Sequence, residues 1–117
     1  MKKRVIRMYT GPDGESHFED TEIVVEDKGG LGRSDLTKAT GLLLQVSDNK
    51  HEQHWHNAPR RQYVVTLDGE CEIEVGDGSK RVFRSGDMLL AEDTTGRGHL
   101  CRILTDKPWQ TIFITLD

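Results

Sequence analysis

The chain has 117 residues, enough for one domain with its own core. Hydrophobic residues make up 34% and charged residues 31%, which excludes a disordered chain, and a net charge of −4 gives no field that would collect nucleic acid or an anionic membrane. The opening "MKKRVIRMYTGPDGE" is basic, but no apolar run of signal-peptide length follows, no stretch is long enough to span a bilayer, and two cysteines are too few for a disulfide scaffold. The expectation is one cytoplasmic domain over 1–117 with reduced thiols.

In chain order, "KRVIRMY" (3–9), "FEDTEIVVED" (18–27) and "ATGLLLQVSD" (39–48) read as strands, with "KGGLGRSD" between the last two as a flexible loop. "QYVVTL" is a β-branched run that ends at Asp68-Gly69, a two-residue hairpin signal, so strands 62–67 and 70–75 are predicted to pair antiparallel. In "GECEIEVGDG" the residues Cys71, Ile73 and Val75 alternate with Glu70, Glu72 and Glu74. That is a half-buried strand whose acidic face lies in water and guards against edge pairing. "RVFRSGDMLLAED" gives a short strand, a turn at Ser85-Gly86-Asp87 and an apolar run over 88–91. "HLCRIL" and "QTIFITLD" complete the set, with Pro108 marking the break between them. No window sustains an apolar period of 3.6 residues, so many short strands spaced by turns predict an all-β sandwich or barrel.

The chemistry gathers in "HEQHWHNAPRRQ" (51–62), which holds three of the five histidines. On a strand His54 and His56 would point the same way around Trp55, so two imidazoles could share one ion, while His51 is out of phase with them. Gln62 at the start of the next strand can face the same pocket, and His99 opens a later strand after "TTGRG". Three imidazoles and an amide oxygen make a first shell for Fe(II), Mn, Ni, Co or Zn with positions left open for water or substrate.

These residues resemble the two motifs of the cupin superfamily. His54 and His56 take the paired-histidine places of the first motif, with Gln62 where the family has Glu and Gly69 closing it. Gly86-Asp87 opens the second motif, Gly96 holds its glycine place, and His99 takes its histidine place. The resemblance covers 54–99 and implies a double-stranded β-helix, the jelly-roll barrel. The departures are Asp48 in place of Gly before the paired histidines, Thr94 in place of Pro, a second motif two residues longer, and Gln62 in place of Glu. An amide in that place leaves a bound divalent ion its full charge, which favours a small anionic ligand.

Cys71 and Cys101 both fall on apolar phases, and Cys101 shares the face of His99. A thiol lining the pocket is the sharper reading of Cys101, and a small buried hydrophobe is the commoner one. Arg60 and Arg61 flank the pocket strand and are candidates to grip a carboxylate, although solvated arginine is the commoner outcome. Trp55, phased away from the histidines, reads as outer packing. Two functions compete: a metal-dependent enzyme of dioxygenase, isomerase, decarboxylase or lyase type, with no catalytic base in view, and a non-catalytic small-molecule-binding barrel with a weak or lost metal site. A metal-free epimerase fits less well, because Tyr63 is phased away from the histidines. Exposed strand edges and the resemblance suggest a homodimer formed through 3–9 or 18–27.

Overall fold

A computed structural model describes residues 1–50 and 54–117, so the expectation placed on His51 lies outside the described residues. Eleven strands and no helix are present among them: β1 (Lys2–Thr10), β2 (Ser16–Val24), β3 (Glu26–Lys28), β4 (Leu31–Arg33), β5 (Gly41–Ser47), β6 (Gln62–Asp68), β7 (Cys71–Glu74), β8 (Lys80–Phe83), β9 (Met88–Glu92), β10 (Leu100–Ile103) and β11 (Trp109–Thr115). Six of them form one sheet in the order β2-β1-β9-β6-β11-β5, and three form a second in the order β10-β7-β8. Within the large sheet β1 runs parallel to β9, whereas the other neighbours are antiparallel. Strands that change sheet along the chain make this a jelly-roll, open rather than closed into a barrel.

The alternation read from the sequence sets which faces meet. Cys71, Ile73 and Phe83 of the small sheet, with Val75 just past β7, pack against Ile6, Met8, Val64, Leu89 and Trp109 of the large one. Burying each such side chain contributes on the order of 1.5–3 kcal/mol, and this is the main force holding the two layers together. The Glu72 and Glu74 side chains of β7 face outward, where both pair with Arg102 of β10, at 3.3 and 2.6 Å.

Two expectations are corrected. Residues 62–67 and 70–75 do not pair: β6 lies between β11 and β9, and β7 lies between β10 and β8. Asp68-Gly69 turns the chain from one sheet to the other. Gly69 has φ +76° and passes so close to the backbone of Pro108 that a Cβ would sit 2.5 Å from its carbonyl oxygen. A hairpin signal reads only local backbone twist, which a turn between sheets satisfies equally well. The segment expected to be a flexible loop forms the β3–β4 hairpin, with Glu26 opposite Arg33 and turn glycines 29 and 30 both at positive φ.

Candidate functional site

The site lies at the mouth of the cleft between the sheets, where the segment leading into β6 meets the start of β10. His56 and His99 form an isolated antiparallel bridge, exchanging backbone hydrogen bonds of 3.0 and 2.9 Å. Gly98 makes this approach possible. Its φ is +84°, and a Cβ there would sit 2.0 Å from the His56 carbonyl oxygen. Asn57 ties the same segment to the preceding turn by donating to the carbonyls of Thr95 and Gly96, at 2.6 and 2.7 Å.

The bridge brings the two imidazoles to 4.6 Å between ring centroids, tilted 56° to each other. Cys101, two residues beyond His99 on the same side of its strand, completes a group whose ligand atoms all lie within 4.8 Å of one another. Each ring is oriented from behind. His56 Nδ1 lies 2.8 Å from the His54 carbonyl oxygen, and His99 Nδ1 lies 2.6 Å from Asp93 Oδ2. With both Nδ1 atoms engaged, the Nε2 atoms are the ones left for a ligand. Asp93 is itself held by Ser16 Oγ at 2.7 Å, and both residues are fully buried.

The charges follow from this packing. A hydrogen bond from Cys71 holds the Cys101 thiol well below its usual range, and the His99 and His56 imidazoles add to it, together outweighing burial. The same contact and burial push the Cys71 thiol up. Burial opposes a charge on His99, but the hydrogen bonds to Asp93 and Cys101 overcome it and raise its pKa to about 9. Both shifts favour His99 over Cys101 as the holder of the proton, and a metal ion bound among these side chains would displace it.

Behind the three side chains lies a cavity of ≈ 240 Å³ walled by Met8, Val64, Leu89, Trp109 and Phe113. Gln62 also lines it, 3% exposed, and its Oε1 has no hydrogen-bond partner. A buried acceptor without a partner is costly, so a donor from a bound molecule or water is expected there.

The structure thus gathers His56, Gln62, His99 and Cys101 around one cavity. His54 does not line it: 54–56 is a single bridge at His56 rather than a regular strand, and the His54 carbonyl oxygen faces His56 Nδ1. Arg60 is exposed and Arg61 is drawn away to Glu92, at 2.6 Å, so neither lines the cavity. Trp55 carries the Arg97 guanidinium over its ring at 3.9 Å. Cys71 is buried in the core, the commoner of its two readings. The sequence reading missed Asp93. Its signal was present, since Leu89, Ala91 and Asp93 share one strand phase, and an acid on the inward phase of an apolar strand needs a buried partner.

No family model matches the sequence. Phomopsin biosynthesis cluster proteins C' and D of Diaporthe leptostromiformis are each 29% identical to this chain over 80 residues, covering 66% of the chain and 41% of each relative. The chain therefore spans about two-fifths of the length of the curated relatives it matches. Among solved structures, protein NMB1881 from Neisseria meningitidis superposes with a TM-score of 0.46 at 16% identity, covering 81% of this chain and 82% of that one. A protein described as a candidate ethanolamine utilization protein Q from Salmonella typhimurium superposes with a TM-score of 0.37 at 10% identity, covering 98% and 96%.

Proposed function

We propose that this chain is a cupin-type protein that holds one divalent metal ion between His56, His99 and Cys101 and offers it to a small anionic metabolite in the adjoining cavity. The observation that carries this reading is the convergence of the three ligand atoms within 4.8 Å, with each imidazole oriented through its other nitrogen. Three protein ligands with a fourth position open is the arrangement of a reactive rather than a structural site. The Cys101 thiolate supplies the negative charge that Gln62 lacks, so a bound ion would keep one net positive charge, still enough to favour an anion. A thiolate with two imidazoles also moves the preference from Mn toward Zn, Co, Ni or Fe(II).

When bound, the ion would act as a Lewis acid on a ligand oxygen. The chain's own residues set what that ligand is. Asp93 and the His54 carbonyl hold the imidazoles in place, the apolar walls exclude water, and Gln62 Oε1 accepts a hydrogen bond from the far end of the ligand. A cavity of ≈ 240 Å³ suits a compact metabolite carrying a carboxylate or enolate and a hydroxyl or amide donor. The partial likeness to proteins named for a biosynthetic cluster agrees with a small-molecule role.

The second reading, a non-catalytic binding barrel, is favoured by one observation: His99 Nδ1 already lies 2.6 Å from the buried Asp93 carboxylate, which holds that ring in place without an ion. Metal per chain, measured by plasma mass spectrometry on untagged protein purified without chelator, separates the two. About one equivalent is expected for the wild type and for His54→Ala, and a loss of at least tenfold in affinity for His56→Ala and Cys101→Ser. Metal well below one equivalent in every protein, with no recovery on adding Zn or Fe(II), leaves the binding barrel.

A further inference from the structure

Edge strand β8 of the small sheet faces the β1–β2 end of the large one, and a second cavity, of ≈ 410 Å³, opens between them. Lys3 and Arg4 of β1, Arg81 of β8 and Arg84 of the turn after it all line this cavity, against one acid, Asp87. The chain as a whole carries 20 acids and 16 lysines and arginines, so four cations gathered at one place run against its overall charge. Like charges drawn together from three elements repel, and an anion between them relieves the repulsion.

The chain's own carboxylates do this only in part. Asp20 is shared: it accepts from Arg81 Nη1 and Nη2, at 2.9 and 3.4 Å, and pairs with Arg4 Nη2 at 3.4 Å. Glu22, opposite Arg4 on β2, is drawn to Lys2 at 3.2 Å. Asp87 Oδ2 accepts from the Arg84 backbone N–H at 2.8 Å, and the Arg84 guanidinium lies 3.1 Å from Glu70. Lys3 Nζ donates to the Gly86 carbonyl oxygen and has no carboxylate partner among the described residues.

Strand phase brings these side chains together. Arg81 shares its phase with buried Phe83, and Arg4 with buried Ile6 and Met8, so both turn toward the gap between the sheets. The Arg81 guanidinium lies over the Phe18 ring at 5.5 Å, which helps to fix it. One inward charge is enough to guard an edge strand, and the convergence of four exceeds that need. Ile6 and Phe83 give the same cavity an apolar floor.

We propose that this cavity binds a small organic phosphate, with the phosphate group between Lys3, Arg4 and Arg81 and the organic part on Ile6 and Phe83. A phosphate group has three acceptor oxygens and close to two charges, enough to serve guanidiniums on both walls, whereas a carboxylate has two oxygens and one charge. The site is separate from the histidine cluster: it lies at β8 rather than β10, the other edge of the small sheet, and shares no lining residue with the cavity at His56 and His99.

Calorimetric titration of phenyl phosphate into the full chain, freed of metal by chelator so that the outcome does not depend on the metal site, tests this at low ionic strength. One saturable site per chain is expected, with no binding of phenol. Arg81→Gln should weaken it at least tenfold, and so should Arg4→Gln, whose side chain is 68% exposed and dispensable to the fold. Asp20→Asn, which removes the carboxylate that competes for both guanidiniums, should tighten it severalfold. A titration that does not saturate at millimolar ligand, an affinity unchanged in both arginine variants, or a site lost in His56→Ala overturns the proposal.

Discussion

His99 shows how one side chain's surroundings decide its behaviour. Its pKa of about 9 in the fold lies above the ordinary value of 6.5, so the proton is bound more tightly in the folded chain than in the unfolded one. Its contribution to stability is complete below pH 6.5 and is lost as the pH rises through about 9, with a ceiling of about 3 kcal/mol because Cys101 shares the proton balance. In urea titrations of the chelator-treated protein, the stability of wild type should fall more steeply from neutrality to about pH 10 than that of Asp93→Asn, in which the partner's charge is gone. Equal slopes would show that Asp93 is not what holds the proton. Gly98 makes a backbone argument at the same scale. A side chain there meets both a left-handed φ of +84° and the His56 carbonyl at 2.0 Å, so Gly98→Ala should cost about 2–4 kcal/mol and loosen the His56–His99 bridge. Urea unfolding reads the first effect and metal content the second; a neutral substitution would mean that the bridge does not depend on this approach.

Between neighbouring strands, the shift of register at Gln110/Thr111 matters most. It follows Trp109, whose indole Nε1–H donates to Thr66 Oγ1 at 3.2 Å with both residues buried. Thr66→Val keeps the volume but strands that donor, and should destabilise the protein by about 1–3 kcal/mol in urea with no change in slope. A loss of under a few tenths would mean that the indole finds water instead. Strand positions were legible because period-two alternation is a local signal: each predicted strand from 3–9 onward has its counterpart, within a residue or two except where 18–27 divides into β2 and β3. Strand partners were not legible. Asp68-Gly69 marks a turn whether the chain doubles back or crosses to the other sheet, and only the packing of Gly69 on Pro108 and Trp109 decides. The site was legible to the same extent. Motif spacing singled out His54, His56, Gln62 and His99, and phase put Cys101 on the face of His99; His56, Gln62, His99 and Cys101 line one cavity, and His54 does not line it, since the chain makes a single bridge where the alternation argument assumed a strand.

At the scale of the molecule, the cluster joins parts of the fold that are otherwise independent. His56 precedes β6 of the large sheet, while His99 and Cys101 stand at the start of β10 in the small one, so an ion held among them would staple the two layers at their open end. An ion that binds only the folded chain stabilises it by mass action, about 2.7 kcal/mol at a hundredfold excess over Kd. For a domain of this size that corresponds to a thermal midpoint raised by on the order of 10 °C. Adding Zn to the metal-free wild type should produce that shift, and Cys101→Ser should reduce it. His56→Ala should abolish it while leaving the metal-free midpoint close to wild type, because His56 is exposed and contributes little to the core. Differential scanning calorimetry at fixed protein and Zn concentrations makes the comparison, since the shift depends on the excess of ion over Kd. If the shift survives in His56→Ala, the ion binds elsewhere, and the His56–His99 bridge then closes the mouth of the cleft without metal.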